Sequence, residues 1–519
     1  MADKESTGRH AFLVGAGILI SRLVGLLRQR VFNHYFGLTD QADAFAAALR
    51  VPNFLQNLFG EGVLSASFIP VYARLLAEKD DEEADRVAGA IGAILALGSA
   101  VVVLAGVIAT PYLMWAIAPG YHGAKREMVI HLARILFPGT GLLVCSAWCL
   151  GILNSHRKFF LSYTAPVVWN LAMITTIVLY RGDDLDHLAV KLAWGTVLGC
   201  ALQFAVQVPA VLRLVPRLRL KPAIASPHAR EVLRNFGPVA LSRGVMQVSA
   251  YIDQALASLL GEGAMTAMTN AQSIYMLPVS LFGMSVSAAE LPAMSSTMGG
   301  LEALRERLNL GLRQIAFFIV PSAMAFFAFG DVVTAVLYQS GRFTHADSVY
   351  VWGIVAGSAV GLLASTLGRL YQSTYYATRD TRTPLRFALV RVVLTGLLGY
   401  ASAVWLPGWL GIEHRWGVAG LTASAGVAGW VEFALLRHTL NRRIGATGLP
   451  ASLVARLWGS AVAGAAAGWA IKLAMGTRNP QVAAVAVLVP YGLVYFGAAR
   501  LLRVEECARL FRRLGRLAR

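Results

Sequence analysis

Residues 19–37 read LISRLVGLLRQRVFNHYFG, and the class of the fold turns on whether this stretch crosses a bilayer. Leucine, isoleucine and valine fill most of it, yet Arg22, Arg28 and Arg30 interrupt the apolar run. An arginine at a helix centre costs about 2.5–3.5 kcal/mol on an insertion scale, so three of them nearly cancel the gain from their neighbours. A spanning helix that keeps them needs water or an anion beside it. The remainder of the chain favours the membrane: 56% of its 519 residues are hydrophobic, only 14% are charged, and the mean hydropathy is +0.58. Soluble domains carry about 25% charged residues. The expected fold is therefore an all-α integral membrane protein. The net charge of +18 does not point to nucleic acid, because the basic residues sit in short connections between apolar runs rather than on one soluble face. Cys145 and Cys149 share a helical face and read as packing residues; the four cysteines form neither a disulfide framework nor a metal spacing. The polar start MADKESTGRH leads into an apolar run that reads as an uncleaved first span.

A span needs about 20 apolar residues. Applied along the chain, that ruler finds about fourteen candidates, centred near residues 20, 58, 98, 140, 170, 200, 245, 280, 318, 360, 394, 425, 462 and 490. Alternate connections, with the two tails, carry about 29 Lys and Arg against about 7 on the other side, which places both termini in the cytoplasm. Gly464 and Gly468 stand at a spacing that permits close helix contact. The tail RLLRVEECARLFRRLGRLAR combines a leucine side with arginines, as helices on anionic membrane surfaces do.

The two halves echo each other. LISRLVG and ALSRGVM each place Ser-Arg inside an apolar helix, at Arg22 and Arg243. Farther on, VPNFLQNLFGEGVLSASFIP and YMLPVSLFGMSVSAAELP each run from proline through Phe-Gly to a second proline. Duplicated bundles with broken helices at matching positions suggest a transporter whose site lies between the halves. The expected organisation is an N-terminal lobe over 1–222 and a C-terminal lobe over 223–445, followed by two extra helices in 446–502 and a basic amphipathic tail over 503–519.

The buried charge indicates the cargo. Lys191 and Arg456 lie near span ends and reach water by snorkelling. Arg22, Arg28, Arg50, Arg243 and Arg369 have no such exit, and the intramembrane carboxylates, chiefly Asp43, Glu61, Asp253 and Glu290, are too few to neutralise them all. Surplus guanidinium facing a hydrated cavity suits an anion, and its planar fork suits phosphate oxygens. Successive helix residues turn about 100°, so Arg22 and Arg28 diverge by roughly 120° and share a cavity only if it is broad or if one of them snorkels.

SRLVGLLRQRVFNHYFG, DAFAAALRVPNFLQNLFGEGVLSASFIPVYAR, YQSGRFTHAD and YYATRDTRTP together resemble the MurJ/MviN family of lipid II flippases, in the MOP exporter superfamily. The resemblance spans essentially the whole chain. It implies fourteen spans in two six-helix lobes around a cationic central cavity, with the last two helices forming a groove for a lipid tail. The implied activity is movement of the undecaprenyl-pyrophosphate-linked peptidoglycan precursor from inner to outer leaflet by alternating access. Cell-wall synthesis proteins are the implied partners, beside the phospholipid membrane, and a monomer is the implied state. Carried over by position, Ser21, Arg22 and Arg28 match the cavity residues of the first span, Asp43, Asn53 and Glu61 those of the second, and Arg369 a basic position of the tenth. Two departures stand out: Gln56 and Asn57 replace a common arginine, and Gln272 and Ser273 replace a common Asp-Arg pair. Arg243 restores part of that charge.

Two other readings compete. Another polyprenyl-pyrophosphate glycan would satisfy the same cationic cavity. A membrane-embedded glycosyltransferase or polymerase would need an acidic residue on a sizeable outer loop, whereas YHGAKREM and LPGWLGIEHRW are short and hold no paired carboxylates. A transporter rather than an enzyme is expected. The sequence calls for no cofactor. Without a GxxxxGK[ST] loop, energy has to come from an ion gradient, the membrane potential or substrate flux.

Overall fold

The computed structural model describes residues 2–221, 226–287, 290, 294, 300–378, 380–475 and 479–517. Within these, the side chains of residues 2–16, 18, 51, 61, 241–243, 245–246, 248–250, 511 and 513–517 are not described. The described residues are helical almost throughout and contain no strand. They form two compact units, Met1–Leu259 with Ser340–Arg342, and Leu260–Gln339 with Phe343–Arg519.

In the first unit, α1 (Ala2–Phe36) and α2 (Asp40–Phe59) are joined by a tight turn. Thr39 starts α2, its side chain accepting the Ala42 N–H at 3.4 Å, which satisfies one of the orphan donors of the first turn. After Phe59 the helix breaks. Gly60 has φ −91° and ψ −154°, and a Cβ there would collide with the Gln56 carbonyl oxygen. The chain resumes as α3 (Glu61–Ser67) and α4 (Ile69–Ala77). The long helices α5 (Asp81–Ile117), α6 (Gly123–Ser155), α7 (Phe159–Leu179), α8 (Leu185–Leu214) and α9 (Pro227–Ala257) complete the unit. Its core joins Phe68, Tyr72 and Leu75 to Val87, Ile91, Val144, Trp148 and Val211. The Trp148 Nε1–H reaches the Ala88 carbonyl at 3.1 Å, so the buried indole is satisfied.

The Ser340–Arg342 turn also belongs here. The Arg342 N–H donates to the His34 carbonyl at 2.9 Å. Gly37 and Gly341 face each other's segments with φ of +62° and +55°. A Cβ on Gly37 would lie 2.9 Å from the Arg342 oxygen, and one on Gly341 would collide with the His34 oxygen. Both positions therefore require glycine for conformation and for space.

The second unit holds α10 (Ala264–Pro278), α11 (Gly300–Tyr338), α12 (His345–Ala359), α13 (Leu362–Ala377), α14 (Arg382–Tyr400), α15 (Leu406–Leu410), α16 (Gly417–Ile444), α17 (Ala451–Ala474), α18 (Pro480–Leu501) and α19 (Glu505–Leu517). A π-helical turn over Val279–Met284 continues α10, and another over Ala401–Trp405 links α14 to α15. The Phe-Gly pairs of the internal repeat thus sit at irregular helix in both halves: Phe59-Gly60 at a break, Phe282-Gly283 in a π turn. Residues 288–289, 291–293 and 295–299 of the second copy lie outside the described residues. Helices α17 and α18 pack on α11 in this unit. Positions for Cβ atoms on Gly464 and Gly468 lie 2.8 Å from the Tyr491 oxygen and 2.6 Å from the Phe329 ring. The spacing of these glycines is therefore a packing device, as expected.

Every one of the fourteen expected centres falls in a helix, a π turn or the bend of a helix pair. Being helical does not make each a crossing. Among the described residues, eight helices are individually long and apolar enough to span, and nine if the pair α12–α13, bent by 44°, counts as one. Helix α1 and the broken span at Gly60 are not among these eight.

Candidate functional site

The arginines of α1 separate by helical geometry. Gly17 brings α1 against α7, with its Cβ position 3.0 Å from that of Tyr163. Arg28 enters the same seam half-buried, its guanidinium 5.3 Å from the Trp169 ring centroid and Nη1 3.6 Å from Met173 Sδ. Nη2 reaches Gln29 Oε1 at 3.4 Å. An aromatic face and a thioether orient a cation without supplying a counter-charge; an indole contact of this kind contributes about 0.5–2 kcal/mol. Arg22 is exposed and Ser21 half-buried beside it in sequence. The roughly 120° between Arg22 and Arg28 thus becomes two different surroundings.

On α2, Asp43 is fully buried. Lys125 Nζ lies 2.9 Å from its Oδ2 and 2.6 Å from Asp40 Oδ1, over the Tyr121 ring at 4.1 Å. This partner was not read from the sequence, where Lys125 belonged to a short outer loop. It is in fact in the first turn of α6, which begins at Gly123. Two turns farther along α2, Arg50 and Asn53 are half-buried. Tyr251 of α9 donates its hydroxyl to the Arg50 carbonyl at 3.1 Å, and its ring meets Phe54 edge-on at 5.1 Å. Glu61 opens α3 and Arg243 lies in α9, but both side chains are outside the described residues. Eight of the nine expected cavity residues are therefore carried by α1, α2, α3 and α9 of one unit.

The ninth, Arg369, is exposed on α13 of the other unit. There Ser273 hydrogen-bonds back to the Thr269 carbonyl at 3.0 Å. The deeper charge of this unit is Glu432, buried on α16, which accepts from Arg391 Nη1 at 3.1 Å and from Gln372 Nε2 at 3.0 Å. Glu432 ties three helices together, and it was missed because its partners lie on two other spans. The YYATRDTRTP stretch also resolves into an electrostatic hub. Asp380 accepts the Thr383 N–H at 3.0 Å, the Thr383 hydroxyl at 2.7 Å and Arg443 Nη1 at 2.7 Å. These Thr383 hydrogen bonds, with the arginine, hold its carboxyl down to about 2. Arg443 in turn lies over the Tyr375 ring at 5.4 Å; Arg379 lies outside the described residues.

Comparison with known proteins places this geometry. The sequence profile of the family "Lipid II flippase MurJ" matches residues 32–489. The chain is 30% identical over 443 residues to the lipid II flippase MurJ of Burkholderia cenocepacia, covering 84% of each chain. In fold it is similar to a lipid II flippase MurJ in an inward closed conformation, with TM-score 0.79, 22% identity and coverage of 94% of this chain and 98% of that one. It is also similar to an inward-facing multidrug resistance MATE family transporter of the MOP superfamily, at TM-score 0.65 and 19% identity, over 81% of this chain and 95% of that one. Both structural likenesses speak for the fold alone. The sequence match takes in residues 32–489, most of the chain, so the chain belongs to the lipid II flippase MurJ family.

Proposed function

We propose that this chain is a flippase that carries lipid II from the inner to the outer leaflet of the bacterial cytoplasmic membrane by alternating access, supplying peptidoglycan synthesis. The family match over residues 32–489 carries this reading. In it, Arg22, Arg28, Arg50, Arg243 and Arg369 supply positive charge toward the pyrophosphate, and guanidinium forks suit its oxygens. Ser21 and Asn53 add neutral hydrogen bonds. Asp43, buried against Lys125, acts by setting the start of α2, and Glu61 acts at the break after Gly60. Both termini lie in the cytoplasm, residues 1–222 and 223–445 act as two lobes, and residues 446–502 offer a groove to the lipid tail. The work of transport comes from the membrane potential, an ion gradient or substrate flux.

The test is complementation of a flippase-depleted bacterium, with labelled lipid II scored for exposure on the outer leaflet. Restored exposure is expected; growth failure with the protein present in the membrane would overturn the reading. Gln56, Asn57, Gln272 and Ser273 stand where the family resemblance implies charge. The same assay is therefore run with another polyprenyl-pyrophosphate glycan, whose preferential export would reassign the substrate.

A further inference from the structure

A cavity of about 550 Å³ in the second unit lies apart from the cationic residues assigned above, although part of its lining belongs to residues 446–502, the stretch proposed to receive the lipid tail. Its lining includes Asp331, Gln339, His345, Lys472, Asn479 and Val487. These come from the last turns of α11 and α17 and the first turns of α12 and α18, so four helix ends meet there. Helix ends bearing Trp352 and Trp469 are where a bilayer gives way to its headgroups. Lys472 Nζ lies 2.6 Å from Asp331 Oδ2, 4.8 Å from the Trp469 ring and 5.9 Å from the Trp352 ring. The other carboxylate oxygen, Asp331 Oδ1, is buried and has no hydrogen-bond partner among the described residues. A buried carboxylate oxygen without a donor is costly, and such atoms call for an explanation.

We infer that this cavity binds the headgroup of a phospholipid with a primary ammonium, of the phosphatidylethanolamine class, its ammonium on Asp331 Oδ1 and its phosphate on Lys472. The four charges then alternate in sign around a closed ring: ammonium, Asp331, Lys472, phosphate. Lys472 has three donors, one committed to Asp331 Oδ2, leaving the phosphate within its repertoire. Val332, Ala335, Ala483 and Val487 line the same cavity and suit the start of the acyl chains. A trimethylated ammonium has no N–H to donate to Oδ1, and a glycerol headgroup lacks the positive charge. The site is thus selective by chemistry. This binding does not depend on which lipid-linked cargo is carried.

The test uses the purified full chain, equilibrated with equimolar phosphatidylethanolamine, phosphatidylcholine and phosphatidylglycerol of identical acyl chains, with retained lipid read by native mass spectrometry. Phosphatidylethanolamine should be enriched about tenfold, the size of one charged hydrogen bond. Asp331→Asn should reduce that enrichment to parity, and Lys472→Gln should lower retention of all three lipids. Stepwise N-methylation of the ethanolamine headgroup, read on the unmodified chain, should abolish the enrichment at the trimethyl stage and needs no variant to fold. Equal retention of the three lipids, enrichment of phosphatidylglycerol, or unchanged selectivity in Asp331→Asn would each overturn the proposal.

Discussion

Arg22 and Arg28 lie six residues apart on one helix and have different physical situations. Arg28 is braced by Trp169 and Met173, whereas Arg22 is exposed. Removing either guanidinium makes membrane insertion easier rather than harder. Arg22→Ala and Arg28→Ala are therefore expected at normal abundance in the membrane with outer-leaflet lipid II lost. Arg28→Lys should recover only part of the rate, since an ammonium keeps the charge but loses the fork and the planar stacking. Normal flipping by both alanine variants would remove the arginines from the substrate path. Lys125 is a different kind of residue, 14% exposed against a fully buried Asp43. Lys125→Ala deprives that buried carboxylate of its ammonium partner, which costs about 3 kcal/mol or more. A lower unfolding temperature in detergent is the readout, and Lys125→Ala with Asp43→Asn should recover most of it. Asp380 supplies a pH signature. Its folded-state carboxyl is held near 2 against an ordinary value of 3.8, so its contribution is complete above about pH 4 and is lost as the pH falls toward 2. Stability measured from pH 5 to 8 should be the same in wild type and Asp380→Asn as far as its slope goes, and the acid limb between 4 and 2 should flatten in the variant.

Among elements, the broken second span holds the sharpest constraint. Gly60 lets the chain turn between α2 and α3 directly over the Gln56 carbonyl. Gly60→Ala must push α2 and α3 apart or unwind a turn, an overpacking cost of about 1–3 kcal/mol. Flipping should fall with it, because the break sits between Asn53 and Glu61. Ala66→Gly, a change on the exposed face of α3, is the control and should retain activity at a small cost in stability. The legible part of this element was its irregularity: two prolines, Phe-Gly and a run of small residues. The position of the break was not legible, because Pro52 remains inside α2 and the helix yields only at Gly60. Within Gly-Glu-Gly, the local pattern does not say which bond of the backbone turns.

For the whole molecule, the expectation of cytoplasmic termini is checked by single cysteines at exposed sites. His122→Cys and Gly182→Cys should react with an impermeant thiol reagent applied outside, while Glu78→Cys and Lys221→Cys should react only after permeabilisation; all four positions are exposed. The native cysteines are free, with Cys149, Cys200 and Cys507 buried, and are replaced by serine beforehand. Reversed labelling would overturn the orientation and the direction of transport together.

The sequence by itself determined the class of the molecule, the fourteen helical centres, the alternation of basic connections and the family. Each depends on composition or on residues close together in the chain: apolar length sets a span, and lysine and arginine counts set a side. Tertiary structure decided what each buried charge meets. Asp43 finds Lys125 at a separation of 82 residues, Arg391 finds Glu432 at 41, and Asp331 finds Lys472 at 141. Periodicity gives the face on which a residue lies, but the partner on that face belongs to another helix, chosen by packing. The arginines that read as surplus in the sequence are thus divided by the fold into those braced by aromatic rings, those tied to a distant carboxylate, and those exposed on their helices.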